Sequence, residues 1–237
     1  MNSYDRKVAV ITGASQGIGA GLVEAYRKLG YSVVATSRSI SQADEPDLLT
    51  VRGDIAEAAT ADRVIGAALK RFGGVDTLVN TAGIFVAKAF TDYTPTDFTD
   101  VTGVNLAGFF HITQQAIESM LSRGGGHIVN VTSSLVDNAN SSVPSVLASL
   151  TKGGLQSATK SLAIEYAGRG IRVNAVSPGT IKTPMHDEST HEFLAALHPM
   201  GRMGDIRDIT DAVVYLENAS FVTGEILHVD GGMSAGH

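Results

Sequence analysis

The chain has 237 residues, of which 43% are hydrophobic and 18% charged, and it contains no cysteine. The lack of cysteine excludes a disulfide framework, a thiolate metal site and a cysteine nucleophile. The net charge of −6 and the absence of a basic run argue against nucleic acid or an anionic membrane as the main partner. The polar start Met1–Lys7 and the short apolar run Val8–Ile11 fit neither a signal peptide nor a membrane span, so we expect a cytoplasmic protein.

Short apolar runs alternate with segments of helical periodicity along the whole chain. The apolar runs are nearly continuous, as in parallel strands covered on both faces, and predict strands at Lys7–Thr12, Ser32–Thr36, Leu48–Arg52, Thr77–Asn80, His127–Thr132, Arg172–Ser177 and Ile226–Val229. Apolar residues spaced three and four apart predict helices at Gly17–Leu29, Ala61–Phe72, Pro95–Leu121, Ser145–Ala167 and Asp205–Asn218. This alternation predicts one α/β domain over residues 1–237, with a doubly wound parallel sheet of about seven strands and helices on both faces.

Two stretches do not follow this alternation. Ser37–Asp47 has little helical periodicity and is predicted to be mostly loop. Thr180–Met203 is long for a connection in a compact domain, and such segments are usually lids or binding loops. We therefore predict a substrate lid at 184–203, with an amphipathic surface excursion as the alternative.

Three glycines lie between the first strand and the first helix, in the order Thr-Gly-Ala-Ser-Gln-Gly-Ile-Gly from Thr12. Gly13 permits a tight turn, Gly17 lets a diphosphate approach the backbone, and Gly19 lets the helix pack on the strand. The N–H groups at the start of the helix then face the anion. This placement, more than the glycines alone, indicates a dinucleotide-binding site.

Together with further motifs, these residues resemble the short-chain dehydrogenase/reductase family from about residue 6 to residue 233. The other matching segments, in the family's order, are Asn80-Thr81-Ala82-Gly83, Asn105, Ser133, Lys152, Pro178–Thr183 and Gly224–Gly232. The resemblance implies a Rossmann-type fold, a nicotinamide dinucleotide cofactor and oxidoreductase chemistry on a small carbonyl or alcohol substrate.

The resemblance also implies cofactor contacts. The residues concerned are Gly13, Ser15, Gln16, Gly17, Ile18, Gly19, Asp54, Ile55, Asn80, Ala82, Gly83, Lys152, Pro178, Gly179, Ile181 and Thr183. Asp54 would accept a hydrogen bond from the adenine amino group, and Ile181 and Thr183 would hold the carboxamide and the diphosphate. Asp54 could instead form a turn after a strand, and Asn80 could bridge neighbouring strands through its amide.

The end of the second strand bears on the choice between NAD(H) and NADP(H). An acidic residue there bonds the ribose hydroxyl, whereas an arginine accommodates a phosphate. The chain has Thr36-Ser37-Arg38-Ser39 at this place and no acidic residue before Asp44. Arg38 offers a charge-assisted fork that suits phosphate, so we predict NADP(H) over NAD(H). An exposed loop arginine without a ligand is the alternative.

The resemblance implies that Ser133, Lys152 and Asn105 are catalytic. Ser133 would polarise the substrate oxygen, with Ser134 as the alternative in a shifted register. Lys152 would bond the nicotinamide ribose, and Asn105 would kink its helix and hold a water that connects Lys152 to solvent. The family's proton-exchanging tyrosine precedes the lysine by four residues, a position that Ala148 occupies here. General acid–base catalysis contributes about 10²–10⁴-fold, so we expect slower turnover or another proton donor.

The proton donor stays open at this point. A water relayed by Lys152 and Asn105 requires no new side chain. The side-chain candidates are His186, His191, His198 and Tyr93. Each histidine could instead be a packing residue, and the histidine spacing does not suit a metal, so no metal site is predicted. The polar segment Asn138–Val146 lengthens the interval from Ser133 to Lys152 by about two residues, which predicts a remodelled substrate site or, alternatively, a loosened inactive one.

The predicted function is an NADP(H)-dependent oxidoreductase with an atypical proton donor. The alternatives are a catalytically silent NADP(H)-binding protein, acting as a sensor or a subunit, and an enzyme inactivated by a natural or engineered alanine at position 148. The resemblance further implies a homo-oligomer, a dimer or a tetramer, formed through the helices Pro95–Leu121 and Ser145–Ala167.

Overall fold

A central sheet of eight strands organises the protein, in the order β3-β4-β2-β1-β5-β6-β7-β8. The computed structural model describes residues 6–236, so most of the polar start considered above lies outside the described residues. The strands are β1 Val8–Thr12, β2 Ser32–Ser37, β3 Asp44–Glu45, β4 Leu48–Arg52, β5 Thr77–Asn80, β6 Gly126–Val131, β7 Ile171–Pro178 and β8 Ile226–Val229. Neighbouring strands are parallel except β3, which runs antiparallel to β4.

Helices connect the strands and cover both faces of the sheet. They are α1 Gly17–Lys28, α2 Ala58–Phe72, α3 Pro95–Thr102, α4 Gly108–Arg123, α5 Val146–Tyr166, α6 His191–Ala196 and α7 Ile206–Asn218. Single 3₁₀ turns occur at Phe90–Asp92, Ser134–Val136, Ala167–Arg169, Glu188–Thr190 and Met233–Ala235. None of the helices within residues 6–236 has the length and apolar character needed to span a bilayer.

Alternate residues of the inner strands face two separate cores. On one side, Val10 and Leu78 pack in the layer covered by α2, α4 and α5. On the other side, Ile11 and Val79 pack in the layer covered by α1 and α7. Because both faces of the sheet are buried, most residues of the strands are apolar, which is why the sequence pattern predicted the long strands closely.

The eighth strand, β3, departs from the prediction of about seven. It lies in the crossover that was predicted to be mostly loop, and it consists of Asp44 and Glu45. Three hydrogen bonds between Ala43 and Thr50 hold the crossover beside β4, and Arg27 binds Glu45 across the edge. Charge pairing rather than apolar burial places this strand, so hydropathy gave no signal for it.

The single helix predicted at Pro95–Leu121 is divided. A π-helical turn at Gly103–Ala107 separates α3 from α4, and Asn105 lies within it. Such turns interrupt a helix at a defined point and are frequent at functional sites. The irregularity expected at Asn105 is therefore present.

The strand order reverses between β1 and β5, because β2 and β4 extend the sheet on one side and β6 to β8 on the other. In open α/β sheets a reversal of this kind leaves a crevice outside the carboxyl ends of the strands, where ligands bind.

Candidate active site

A cleft of about 890 Å³ opens at this edge of the sheet. Apart from Asn80 and Asn105, every residue predicted for the site lines it. The cleft runs from the loops after β1, β2 and β4 to the segment around α6 and the C-terminal turn. A single crevice thus brings together motifs that are up to about 170 positions apart in the chain.

The glycine turn after β1 forms the middle of the cleft wall. Gly13 and Gly17 have φ of +64° and +57°, a region that other residues rarely adopt. A Cβ on Gly13 would lie 2.8 Å from the Ala82 backbone, and one on Gly19 would overlap the Gly13 carbonyl. The side chain at the N-cap of α1, Gln16, makes no capping hydrogen bond. The first N–H groups of α1 therefore remain available to an anion.

Arg38 and Asp54 meet at the end of the cleft that follows β2 and β4. Arg38 Nη1 lies 3.9 Å from Asp54 Oδ2, with both side chains partly exposed. Asp54 also accepts a hydrogen bond from the Ala56 backbone N–H, so the turn-forming alternative is present in the geometry. Beside them, the hydroxyls of Ser39 and Ser15 lie 3.4 Å apart. This end combines a guanidinium with two hydroxyl groups.

The loop after β5 is tied to β1. Thr12 Oγ1 accepts hydrogen bonds from the backbone N–H groups of Thr81 and Ala82, both 3.0 Å long. Asn80 lies behind the cleft, where its Nδ2 donates to Asn130 Oδ1 on β6 at 2.9 Å. The strand-bridging role of Asn80 is therefore seen directly. The amide fixes the end of β5, from which the cleft-lining residues Ala82 and Gly83 follow.

Two buried hydroxyl groups beside the cleft support the fit to a dinucleotide. Thr36 and Thr81 both border the cleft, and their buried Oγ1 atoms have no hydrogen-bond partner within the described part of the chain. Buried polar groups are normally paired, so these two indicate that a polar ligand belongs beside them. This part of the cleft therefore suits the diphosphate of a nucleotide. It offers the glycine turn, the free N-terminus of α1, Arg38 and the two hydroxyl groups without a partner.

Ser133 and Ser134 occupy different environments at the other end of the cleft. Ser133 Oγ accepts a 3.3 Å hydrogen bond from the Leu135 backbone N–H, which leaves its O–H hydrogen free to donate. Ser134 is buried, and its hydroxyl points to the Met233 sulfur at 3.8 Å. Ser133 is thus the better placed of the two to polarise a substrate oxygen.

Lys152 reaches the cleft from α5. Its Nζ donates a 2.8 Å hydrogen bond to the Val131 carbonyl at the end of β6. Burial lowers the pKa of the Lys152 amine to about 8. A Cβ on Gly83 would lie 3.0 Å from Nζ, so the glycine at that position keeps the space beside the amine open.

Asn105 holds the loop after Gly83 against α5. Its Oδ1 accepts from the Ile84 N–H at 3.0 Å, and its Nδ2 donates to the Ile84 carbonyl and to Thr151 Oγ1. Thr151 is the neighbour of Lys152 in the helix. Asn105 therefore positions both walls around the lysine, although its side chain is buried away from the cleft surface.

The cleft has no phenol where the family has its tyrosine. Ala148 lines the cleft one helical turn before Lys152, and no tyrosine is among the lining residues within 6–236. Tyr93, considered above as a replacement, donates its hydroxyl to the Val86 carbonyl at 2.7 Å and does not line the cleft. Tyr93, one of the candidate proton donors, therefore points away from the cleft.

The three histidines of the segment 184–203 differ in their surroundings. His198 is buried and makes two hydrogen bonds: Nε2 accepts from the Thr180 N–H and Nδ1 donates to the Leu194 carbonyl. His191 contacts the His186 carbonyl. Only His186 lines the cleft, and burial together with the nearby His191 lowers the pKa of His186. His198 thus anchors the segment and has no free ring nitrogen for proton transfer.

Several cleft residues had no signal in the sequence motifs. The segment 184–203 contributes Phe193, Leu194 and Leu197, and the C-terminal turn contributes Met233. Asn138 Nδ2 donates to the Met233 carbonyl at 2.7 Å, which ties that turn to the loop after β6. The polar segment Asn138–Val146, which the sequence predicted to remodel the substrate site, reaches the cleft through Asn140, Ser142 and Val143. Contacts between such distant segments appear only in the fold.

Comparison with known proteins agrees with this geometry. Residues 13–234 match a family model described as enoyl-(acyl carrier protein) reductase. The chain is 36% identical over 243 residues to the 3-oxoacyl-[acyl-carrier-protein] reductase of Vibrio cholerae, with 98% of each chain covered.

Solved structures show the same fold. One is the 3-ketoacyl-(acyl-carrier-protein) reductase of Brucella melitensis complexed with NADH, at a TM-score of 0.87 and 35% identity, covering 96% of this chain and 98% of that one. Another is ElxO with NADP bound, at a TM-score of 0.90 and 28% identity, covering 98% and 100%. On sequence, fold and cleft geometry, the chain belongs to the short-chain dehydrogenase/reductase family of nicotinamide-dependent oxidoreductases.

Proposed function

We propose that the protein is an NADP(H)-dependent oxidoreductase that interconverts a small carbonyl compound and its alcohol. The observation that supports this most is the single cleft that joins an anion-binding glycine turn to Ser133 and Lys152. A nicotinamide bound between these two ends supplies or accepts a hydride. The relatives include a protein named as a 3-oxoacyl-[acyl-carrier-protein] reductase, which is consistent with a carbonyl substrate.

In this proposal the glycine turn and the α1 N-terminus hold the diphosphate. Arg38 provides the phosphate fork, with Ser39 and Ser15 as neighbouring donors. Ile181 and Thr183 line the nicotinamide end, where Thr183 lies against Gly17. Arg38 is the basis for NADP(H) over NAD(H), because its planar guanidinium can bind a phosphate through two parallel hydrogen bonds.

Ser133 and Lys152 act at the substrate end. Ser133 donates its free O–H to the substrate oxygen and so draws charge from the carbonyl carbon. Lys152 bonds the ribose and places a positive charge beside the reacting groups. Asn105 keeps the lysine helix and the Gly83 loop in register through its bonds to Ile84 and Thr151.

The substrate end suits a compound that is mainly apolar with a few polar groups. Phe85, Val143, Phe193 and Met233 line this end, and Asn140 adds an amide. In our proposal the segment 184–203 is the lid over that compound, since its helix α6 directs apolar side chains into the cleft.

A silent NADP(H)-binding protein is the second candidate, and Ala148 is the observation that favours it. Without a phenol, the site lacks the family's usual proton donor, and a sensor or subunit would need only the nucleotide half of the cleft. The homo-oligomer and the cytoplasmic location stay predictions. For the former, a shallow apolar groove between α4 and α5, lined by Phe110 and Leu155 among others, offers a surface for a second copy of this chain.

A substrate panel tests the proposal. Purified protein is mixed with NADPH and a series of 3-oxoesters, ketones and aldehydes, and NADPH oxidation is recorded together with the alcohol formed. Stoichiometric alcohol formation with at least one carbonyl class is expected. NADPH binding without oxidation by any member of the panel would favour the silent protein.

A further inference from the structure

We propose that the ammonium group of Lys152 is the acid that protonates the substrate oxygen, acting across the space beside Ala148 that a phenol would fill. This inference rests on the proposed function. Ala148 and Lys152 are four residues apart in α5, so they lie on the same helical face, and both line the cleft. Lys152 and the position that a phenol would occupy are thus one helical turn apart on the same wall of the cleft.

Few other ionisable side chains in the cleft could donate the proton. Of the described residues, the ionisable side chains that line it are Arg38, Asp54, Lys152, His186 and Asp187. Arg38 and Asp54 lie at the adenosine end. Asp187 accepts hydrogen bonds from the N–H and O–H of Ser189, so it is an ionised carboxylate without a proton to give. Burial lowers the pKa of His186, which disfavours the protonated imidazole that would have to donate the proton.

The hydrogen bonds of Lys152 also allow the transfer. An ammonium group has three N–H donors, and one of them is engaged by the Val131 carbonyl at 2.8 Å. A second serves the cofactor ribose in our proposal. The third is left for the substrate oxygen or for one water in contact with it, in the space that Gly83 and Ala148 keep open.

The lowered pKa of Lys152 suits the donation of a proton to the substrate oxygen. The groups packed around its amine, from Gly83, Asn105 and Val131, do not titrate, and burial alone lowers its pKa to about 8. A catalytic acid is most effective when its pKa lies near the working pH. During reduction the hydride brings two electrons to the carbonyl carbon, an N–H bond of Lys152 breaks, and the proton bonds to the oxygen. The neutral amine then regains a proton from solvent.

Chemical rescue tests the proton transfer. We expect K152A to lose about 10²–10⁴-fold in kcat while calorimetry still detects NADPH binding. Added methylammonium or ethylammonium restores turnover, and the restored rate varies with the pKa of the amine. Tetramethylammonium has the same charge but no proton, and it restores nothing. K152M, which keeps the length of the side chain, separates loss of the amine from loss of packing.

A second readout does not depend on turnover. The Lys152 side chain, labelled with ¹³C and identified by its absence in K152M, is titrated by NMR in the cofactor-free protein. We expect a midpoint near pH 8. In the wild type, kcat/KM for the carbonyl, which reports on groups of the enzyme before that substrate binds, falls above the same pH because the acid form is lost. In H186N the midpoint of the pH profile of kcat/KM stays where it is.

The outcomes distinguish failure of the Lys152 role from failure of the proposed function. A rescue that does not depend on the amine pKa, or a kcat/KM that stays constant up to pH 10, overturns the role of Lys152 as the acid. A pH midpoint that moves with H186N assigns the proton to His186 instead. A wild-type protein that binds NADPH but reduces no carbonyl overturns the proposed function itself, whatever Lys152 titration shows.

Discussion

Arg38 Nη1 lies 3.9 Å from Asp54 Oδ2, and the two residues come from the loops that follow β2 and β4. Both side chains are partly exposed, so the pair is weakly held and the guanidinium can turn to a phosphate. Asp54 also accepts a hydrogen bond from the Ala56 backbone N–H, which holds it in place when Arg38 turns away. The ion pair therefore joins the residue predicted to bind a phosphate to the residue predicted to bind an adenine.

Replacing Arg38 with aspartate should invert the cofactor preference. Hydrogen bonds to charged groups contribute about 1.5–3 kcal/mol, so R38D is expected to weaken NADPH binding by about 10- to 150-fold and to leave NADH binding equal or stronger. R38K is the matched comparison, because it keeps the charge but loses the planar fork. Calorimetry measures the affinity of each variant for NADPH and for NADH, and the ratio of the two gives the cofactor preference. An unchanged ratio in R38D would mean that Arg38 does not bind the phosphate.

Placing tyrosine at position 148 should raise turnover. The phenol would return a proton donor one turn from Lys152, and we expect kcat to increase by about 10²-fold or more for a small carbonyl substrate. The control is A148F, which adds the same ring without the hydroxyl. Equal rates in A148Y and A148F would show that proton donation is not what limits this site, and no activity in either would favour the silent protein.

Alanine substitutions at two glycines separate an effect on cofactor affinity from an effect on stability. Gly17 and Gly30 both have positive φ, +57° and +85°. An alanine costs about 1–2 kcal/mol in this conformation at either position. A Cβ on Gly17 would lie 3.3 Å from the Thr183 side chain, whereas one on Gly30 meets nothing within 4 Å. Urea denaturation should therefore show similar losses of stability for G17A and G30A, and only G17A should lose NADPH affinity. A comparable loss of affinity in G30A would argue against a local role of Gly17.

A buried polar cluster at the opposite end of the sheet should make stability depend on pH. Glu217 of α7 accepts hydrogen bonds from Tyr26, Tyr31 and Thr77, and it also contacts His127 Nδ1 at 2.9 Å. Burial alone would raise the pKa of Glu217, but the partners outweigh it and hold the pKa at about 2. Burial lowers the pKa of His127 from its usual 6.5.

Both shifts have the same sign. A depressed pKa means that the unfolded chain binds protons first, so the stability from His127 is lost as the pH falls below about 6.5 and that from Glu217 below about 4.5. Urea denaturation from pH 8 to pH 3 should show both steps. E217Q should cost about 3 kcal/mol at pH 7 and abolish the lower step. A stability that is flat over this range would contradict the buried charge at Glu217.

The sequence predicted those parts of the fold that local patterns determine. Strands buried on both faces are continuous apolar runs, so β1 was found to within one residue. The boundaries of β3 could not be predicted, because Glu45 is held at the sheet edge by Arg27 from another segment and shows no apolar alternation.

For the site, motifs with fixed spacing predicted the cleft-lining residues well, as at Gly13 and Ser133. Asn80 and Asn105 instead support the wall from behind, since their amides bind Asn130 and Ile84. The lid histidines differed from one another for a reason that sequence does not show. Both ring nitrogens of His198 are hydrogen-bonded, to Thr180 and Leu194, and the fold alone brings Thr180, 18 positions away, next to the imidazole.

The proposed function and the proposed role of Lys152 both require that the cleft binds a pyridine dinucleotide. Isothermal titration calorimetry of the purified wild-type protein with NADPH, and separately with NADH, measures this most directly. We expect one molecule of NADPH per chain and weaker binding of NADH. No heat of binding with either dinucleotide, in a protein shown to be folded, would contradict the central claim.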